Sequence, residues 1–184
     1  SNTTSDPLAS SGSSSTAAAG VLYVVATPIG NLADMVPRAV EILQSVALIA
    51  AEDTRHSARL LSHFSISTPC IAYHDHSDSE RTEKILDRVA AGESVALISD
   101  AGTPLVSDPG YRLVRSARER GLNVVPVPGA CAMVAALSAS GLPSDRFSFE
   151  GFPPPKANAR RQWLEALAAE SRTLIFYEAP HRVL

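Results

Sequence analysis

Five short stretches each follow an apolar run: TPIGN (27–31), EDTRH (52–56), HDHSD (74–78), SDAGTPLVSDPG (99–110) and PGAC (128–131). They hold carboxylates, imidazoles, an arginine and several glycines. The connections at the other ends of the same runs, QSV, AAGES and ERGLN, carry little chemistry. Carboxylates and imidazoles can accept a proton, an arginine can hold a phosphate, and a glycine lets a ligand approach the backbone. SDAGTPLVSDPG is longer than a plain connection requires, so it is expected to touch something. The chain has no GxxxxGK[ST], no GxGxxG, no GxSxG and no HExxH. Phosphoryl transfer on a P-loop and dinucleotide chemistry are therefore disfavoured. Glycine- and proline-rich loops without a phosphate cradle suit a ligand held by backbone groups, such as a nucleoside with a short polar tail.

The elements that position these loops follow from periodicity. Apolar runs predict strands at 22–27, 47–52, 70–75, 94–99 and 122–127, the last near an edge because of Pro126. Helices are expected from Asp34, as N-cap with Pro37 in the first turn, to Ser45, and then over 54–64. A third runs from a Ser77/Glu80 capping box to near Gly92, and a fourth over 111–121, with Asp108 as cap and Pro109 early in the helix. Near-continuous apolar strands alternating with helices indicate a parallel sheet covered on both faces. Such sheets bind ligands beyond the carboxyl ends of their strands, where the five stretches fall. A helix of small residues (128–141) leads out of the sheet. A strand (146–152), a helix (157–170) and a strand (172–179) follow, reading as the incomplete start of a second α/β domain. The expected division is a flexible Ser/Thr/Ala-rich tail (1–20), an N-terminal α/β domain (21–128), and a linker helix with the start of a C-terminal domain (129–184).

The 184 residues are 45% hydrophobic and 19% charged, with net charge −3, so no global basic field points to nucleic acid. Two cysteines, Cys70 and Cys131, show no metal-ligand spacing, and a reduced, cytoplasmic setting is the default expectation. No apolar run is long enough to span a bilayer, so no membrane association is expected. The first residues lack the pattern of a signal peptide.

LYVVATPIGNLADM, AEDTRHS, YHDHSDSER, LISDAGTPLVSDPG, VPVPGACA and TLIFYEAPHR, in this order over residues 22 to 184, resemble the S-adenosylmethionine-dependent tetrapyrrole-methylase superfamily. Within it they are most similar to the branch that methylates a cytidine ribose 2′-oxygen of 16S ribosomal RNA. The resemblance implies a cleft between two α/β domains with S-adenosyl-L-methionine as cofactor. It implies that Pro28, Ile29, Asp100, Ala101, Gly102, Thr103, Ala130, Cys131, Tyr177 and Glu178 form the cofactor site. Asp100 would accept from the cofactor's amino group or ribose, or else satisfy N–H groups of its own loop. On the acceptor side, Asp53, Arg55 and His74 are the catalytic candidates, beside Glu52 and His76. Asp53 as base competes with an Asp53–Arg55 structural ion pair. His74 and His76 would share a face of an extended strand, but no metal is expected. RNA contacts would come from Arg55, Arg59, Arg81, Lys156, Arg160 and Arg161. The implied partners are 16S rRNA in the small ribosomal subunit and a second copy in a homodimer. A tetrapyrrole or diphthine-synthase-like methyltransferase and a non-catalytic cofactor-binding module are the alternatives.

Overall fold

The computed structural model describes residues 20–74 and 79–183. The expected tail, His76 and Ser77 of the capping box lie outside the described residues. Strands β1 (Val21–Val25), β2 (Leu48–Ala51), β3 (Cys70–Ala72), β4 (Val95–Ile98) and β5 (Asn123–Val127) form one parallel sheet in the order β3-β2-β4-β1-β5. Every residue of β2 and β4 is buried, as a strand covered on both faces requires. β5 lies at the edge, where Pro126 costs the ladder least.

Helices α1 (Pro37–Ser45) and α2 (Thr54–His63) cover one face, closing a core that includes Leu43, Ile49, Leu61 and Ile98. Helices α3 (Ser79–Ala90) and α4 (Tyr111–Glu119) cover the other, against Leu22, Leu86, Leu97 and Leu113. Each such fully buried side chain is worth about 1.5–3 kcal/mol relative to leaving it in water. The chain leaves β1 toward one face and the neighbouring β4 toward the other. Their loops therefore part at the carboxyl edge and open a crevice there.

Beyond the sheet, α5 (Ala132–Ser140) leads to a second, two-stranded parallel sheet of β6 (Phe147–Gly151) and β7 (Thr173–Phe176), bridged by α6 (Ala157–Leu167). Trp163 packs on Phe176 with ring centroids 5.2 Å apart, fixing α6 on this sheet.

Three local expectations are corrected. Asp34 is no N-cap: Asn31 captures the Ala33 N–H at 3.0 Å and starts a short 3-10 turn over Leu32–Asp34. The α1 helix then begins at Pro37, after Val36. The third strand stops at Ala72, so His74 is not on it and the alternating-face argument for the two histidines does not apply. Asp108 does not cap α4, which starts after Gly110 with no side-chain cap. Positive φ at Ser107 (60°) and Gly110 (123°) bends the chain on either side of Asp108 and leaves that carboxylate half-buried.

Candidate active site

The loop after β4 is the hub of the carboxyl edge. Thr27 and Gly102 exchange reciprocal backbone hydrogen bonds of 2.9 and 3.0 Å, which tie it to the end of β1. The Thr103 hydroxyl donates to the Ala130 carbonyl at 3.0 Å and reaches the loop after β5. On the other side, Asp100 Oδ1 accepts the Asp53 N–H at 3.1 Å, and the Asp100 N–H points to Glu52 Oε2 at 3.4 Å. Four of its residues have positive φ: Gly102, Leu105, Ser107 and Gly110. At Leu105 and Ser107 that conformation is strained, and it persists because the surrounding contacts over-determine it.

Two clefts open beside this loop. The larger, about 620 Å³, lies between the loop after β1 and helix α2; Thr27, Pro28, Ser57 and Arg59 are among its walls. The smaller, about 360 Å³, is lined by Glu52, Gly102, Asp108, Cys131, Phe152 and Tyr177, among others. Ile29, Asp100 and Ala101 line both clefts and form their common wall. A third space, also about 360 Å³, continues from Phe152 and Tyr177 to Glu178. The Tyr177 hydroxyl accepts the Met133 N–H at 2.9 Å, which ties the residue after β7 to the first turn of α5.

A family model for tetrapyrrole (corrin/porphyrin) methylases matches residues 21–184. The chain belongs to this family. It is 64% identical to the ribosomal RNA small subunit methyltransferase I of Pseudomonas aeruginosa, over 90% of this chain and 59% of that protein. The protein of the same name from Escherichia coli O157:H7 is 59% identical over 90% and 58%. The chain thus spans less than two thirds of the length of these relatives. Among solved structures, a diphthine synthase superposes with a TM-score of 0.64 at 16% identity, over 87% of this chain and 65% of that one. A uroporphyrin-III-C-methyltransferase from Thermus thermophilus gives 0.55 at 22% identity, over 74% and 64%. At such identities these two show the fold.

In this tetrapyrrole methylase the residues expected to hold a cofactor gather. Pro28 and Ile29 lie on the larger cleft. Asp100 through Thr103, Cys131, Tyr177 and Glu178 lie on the smaller cleft and its extension. Ala130 takes part through its carbonyl, which receives Thr103. The catalytic candidates Asp53, Arg55 and His74 do not line these clefts. Asp53 is the N-cap of α2 and accepts the Arg55 and His56 N–H groups at 2.8 and 3.3 Å, which hold its carboxyl below the usual range. Arg55 is exposed in the first turn of α2, and His74 is exposed beyond β3. Arg160, expected to meet RNA, turns inward: its guanidinium bonds Glu178 at 2.7 Å and the Pro154 carbonyl at 3.0 Å. Among the described residues no group of three or more His, Cys, Asp or Glu could hold a metal ion, and no helix is long and apolar enough to cross a membrane.

Glu52, expected on the acceptor side, and Asp108, expected only as a helix cap, both face the smaller cleft. Burial pushes the Glu52 carboxyl above its ordinary value, and the charges of Asp100 and Asp108 push it further. Burial likewise raises Asp108, against a hydrogen bond from Ser99. A carboxyl with a raised folded pKa keeps its proton where the unfolded chain has lost it, so its cost to stability grows as pH rises through that window. Glu52→Gln removes this cost. The variant is expected to raise the urea midpoint at about pH 8 and to leave it unchanged at about pH 3.5, below both pKa values. Equal midpoints at both pH values would contradict the crowding of these acids.

Proposed function

We propose that the protein is an S-adenosylmethionine-dependent methyltransferase that modifies a cytidine ribose 2′-oxygen in small-subunit (16S) ribosomal RNA. The observation that carries the reading is the pair of clefts meeting at Ile29, Asp100 and Ala101. One suits a nucleoside-like cofactor and the other an acceptor. The named relatives at 59–64% identity favour RNA as that acceptor.

The smaller cleft fits the cofactor chemically. Glu52, Asp100 and Asp108 crowd negative charge into it, which an ammonium or sulfonium would relieve. Gly102 presents bare backbone, and Ile29, Phe152 and Tyr177 offer apolar faces for an adenine ring. S-adenosylmethionine, when bound, supplies an electrophilic methyl. This chain's residues do the rest. Asp100 and Ala101 form the wall across which donor and acceptor are aligned. Asp53, held acidic at the helix N-terminus, is a poor base. Glu52, raised by burial and by its acidic neighbours, is the better-matched proton acceptor. Arg55, exposed beside them, offers a phosphate contact. A homodimer belongs to the same reading, and α5, built of small and apolar residues with none buried, offers a surface for it.

The test incubates the full-length protein and labelled cofactor with small ribosomal subunits, free ribosomal RNA and a tetrapyrrole, then digests and identifies the product. The expected label is on a 2′-O-methylcytidine from subunits. Free RNA should be a poorer substrate, because the net charge of −3 gives little attraction for naked RNA. S-adenosylhomocysteine should bind, whereas ATP and NAD should not, for want of a pyrophosphate cradle. Label on a base, on the tetrapyrrole or on protein would assign another acceptor.

A further inference from the structure

Arg160 lines none of the three spaces, yet it fastens the segments that carry two of their walls. It stands at the end of the first turn of α6, where its own N–H bonds the Lys156 carbonyl at 2.9 Å. Its guanidinium donates to three separate places. Nε reaches the Pro154 carbonyl at 3.0 Å, one terminal nitrogen reaches Glu178 Oε2 at 2.7 Å, and the other reaches the Arg182 carbonyl at 3.3 Å. The second Glu178 oxygen accepts the Ala179 N–H at 2.8 Å. The pair is sheltered, its side chains 26% and 14% exposed. Such a pair offsets its desolvation only when the remaining donors and lone pairs are engaged, as they are here. A planar fork serves spread acceptors at fixed angles, which a lysine ammonium, a compact point charge, does not.

Two of these anchors sit next to a wall. Pro154 follows Phe152 by two residues, and Glu178 follows Tyr177 directly. Phe152 and Tyr177 line both the smaller cleft and the third space, and their rings meet edge to face with centroids 5.9 Å apart. The Tyr177 N–H bonds the Gly151 carbonyl at 2.9 Å, so the two segments are joined once through the backbone and a second time through Arg160. Met133, Ile175 and Phe176 make the rest of the third space largely apolar. A space of about 360 Å³ with apolar and aromatic walls takes a flat heterocycle, and its fit depends on where those walls are held.

We infer that Arg160 is a positioning residue: by fastening Pro154, Glu178 and Arg182 to α6 it sets the placement of Phe152 and Tyr177, and so the affinity of the third space for the cofactor's aromatic base. The inference rests on the S-adenosylmethionine reading above and adds a side chain outside the clefts that controls cofactor affinity. Both oxygens of Glu178 are already engaged, so its part is to hold Arg160.

Arg160→Met, Arg160→Lys, Glu178→Ala and the Arg160→Met/Glu178→Ala double variant of the full-length protein test it. Each is measured for melting temperature, for S-adenosylhomocysteine affinity by calorimetry, and for kcat and the KM of cofactor and of small ribosomal subunits. Arg160→Met should raise the KM for S-adenosylmethionine, and weaken S-adenosylhomocysteine, by about tenfold or more. Its kcat at saturating cofactor and its KM for subunits should stay within about threefold of the parent, because the wall at Ile29, Asp100 and Ala101 is untouched. Arg160→Lys, which keeps the charge but not the fork, should fall between the two. Glu178→Ala should show the same split, and the double variant little further loss, since the two residues act as a unit. An unchanged KM for S-adenosylmethionine overturns the inference, as do losses that multiply in the double variant. So does a raised KM for subunits alone, which would make Arg160 an RNA contact. A fall in kcat and melting temperature at unchanged cofactor KM would make it structural only. Should Arg160→Met not fold, Arg160→Lys decides by the same split. These outcomes leave the proposed function standing. A parent that binds no S-adenosylhomocysteine overturns both.

Discussion

Gly102→Val should weaken S-adenosylmethionine binding by more than about 100-fold, some 2.7 kcal/mol, in a protein that still folds. Gly102 has φ +78°, a conformation that a β-branched residue adopts only under strain. An added Cβ would stand 3.3 Å from Ile29 Cγ2 and 3.7 Å from the Ala130 carbonyl, in the mouth of the smaller cleft. The exposed Ile29 side chain can give way, so the fold tolerates the branch at a cost of about 1–3 kcal/mol in backbone strain. On the proposed reading the cofactor has no such freedom, because the branch would fill the space of its approach. A circular dichroism melt alongside a binding isotherm separates the two effects. A folded variant with near-parental affinity would show that this loop does not hold the cofactor.

Asp100→Ala is expected to cost at least as much in transfer, about 100-fold or more in kcat/KM. Asp100 is the carboxylate on the wall between the clefts, and its Oδ1 also holds the Asp53 N–H at the start of α2. Alanine removes both the charge and the tether. Asparagine keeps an oxygen for Asp53 and removes only the charge, so Asp100→Asn should preserve the melting temperature better while still losing cofactor affinity. If asparagine restores full activity, the charge is irrelevant and the residue serves only to tie two loops.

The alternation of buried strands and helices was legible because β2 and β4 are apolar on both faces and admit no other reading. Loop chemistry was legible where it depends on backbone. Gly102 stands at positive φ, and a Cβ on Gly129 would lie 2.9 Å from Ala26 Cβ, so those glycines mark close approaches. What depends on side-chain direction was not. Glu52 and Asp53 are adjacent carboxylates, and only the start of α2 decides that Asp53 caps while Glu52 turns into the cleft. Asn31 and Asp34 are both competent caps, but Asn31 starts a 3-10 turn that takes in Asp34, and α1 begins later, at Pro37. Arg160 looked like part of a basic run until Glu178, eighteen residues away, took its guanidinium.

The strand order also sets a timetable for biosynthesis. β1 is made first, yet it pairs only with β4 and β5, through contacts such as Leu22 with Val95 and Val25 with Val127. β2 can find β3 and then β4 while β1 still waits, because loop closure favours the nearer partners. β1 can dock on β4 once Ile98 has emerged, but its other edge stays unpaired until the ribosome has released Val127. Thr27, Pro28 and Ile29 hang from the end of β1, and the smaller cleft waits longer still, for Cys131, Phe152 and Tyr177. A nascent chain that stops short of β5 carries much of the hydrophobic core but an incomplete site, and its open β1 edge is the surface a chaperone would have to shield.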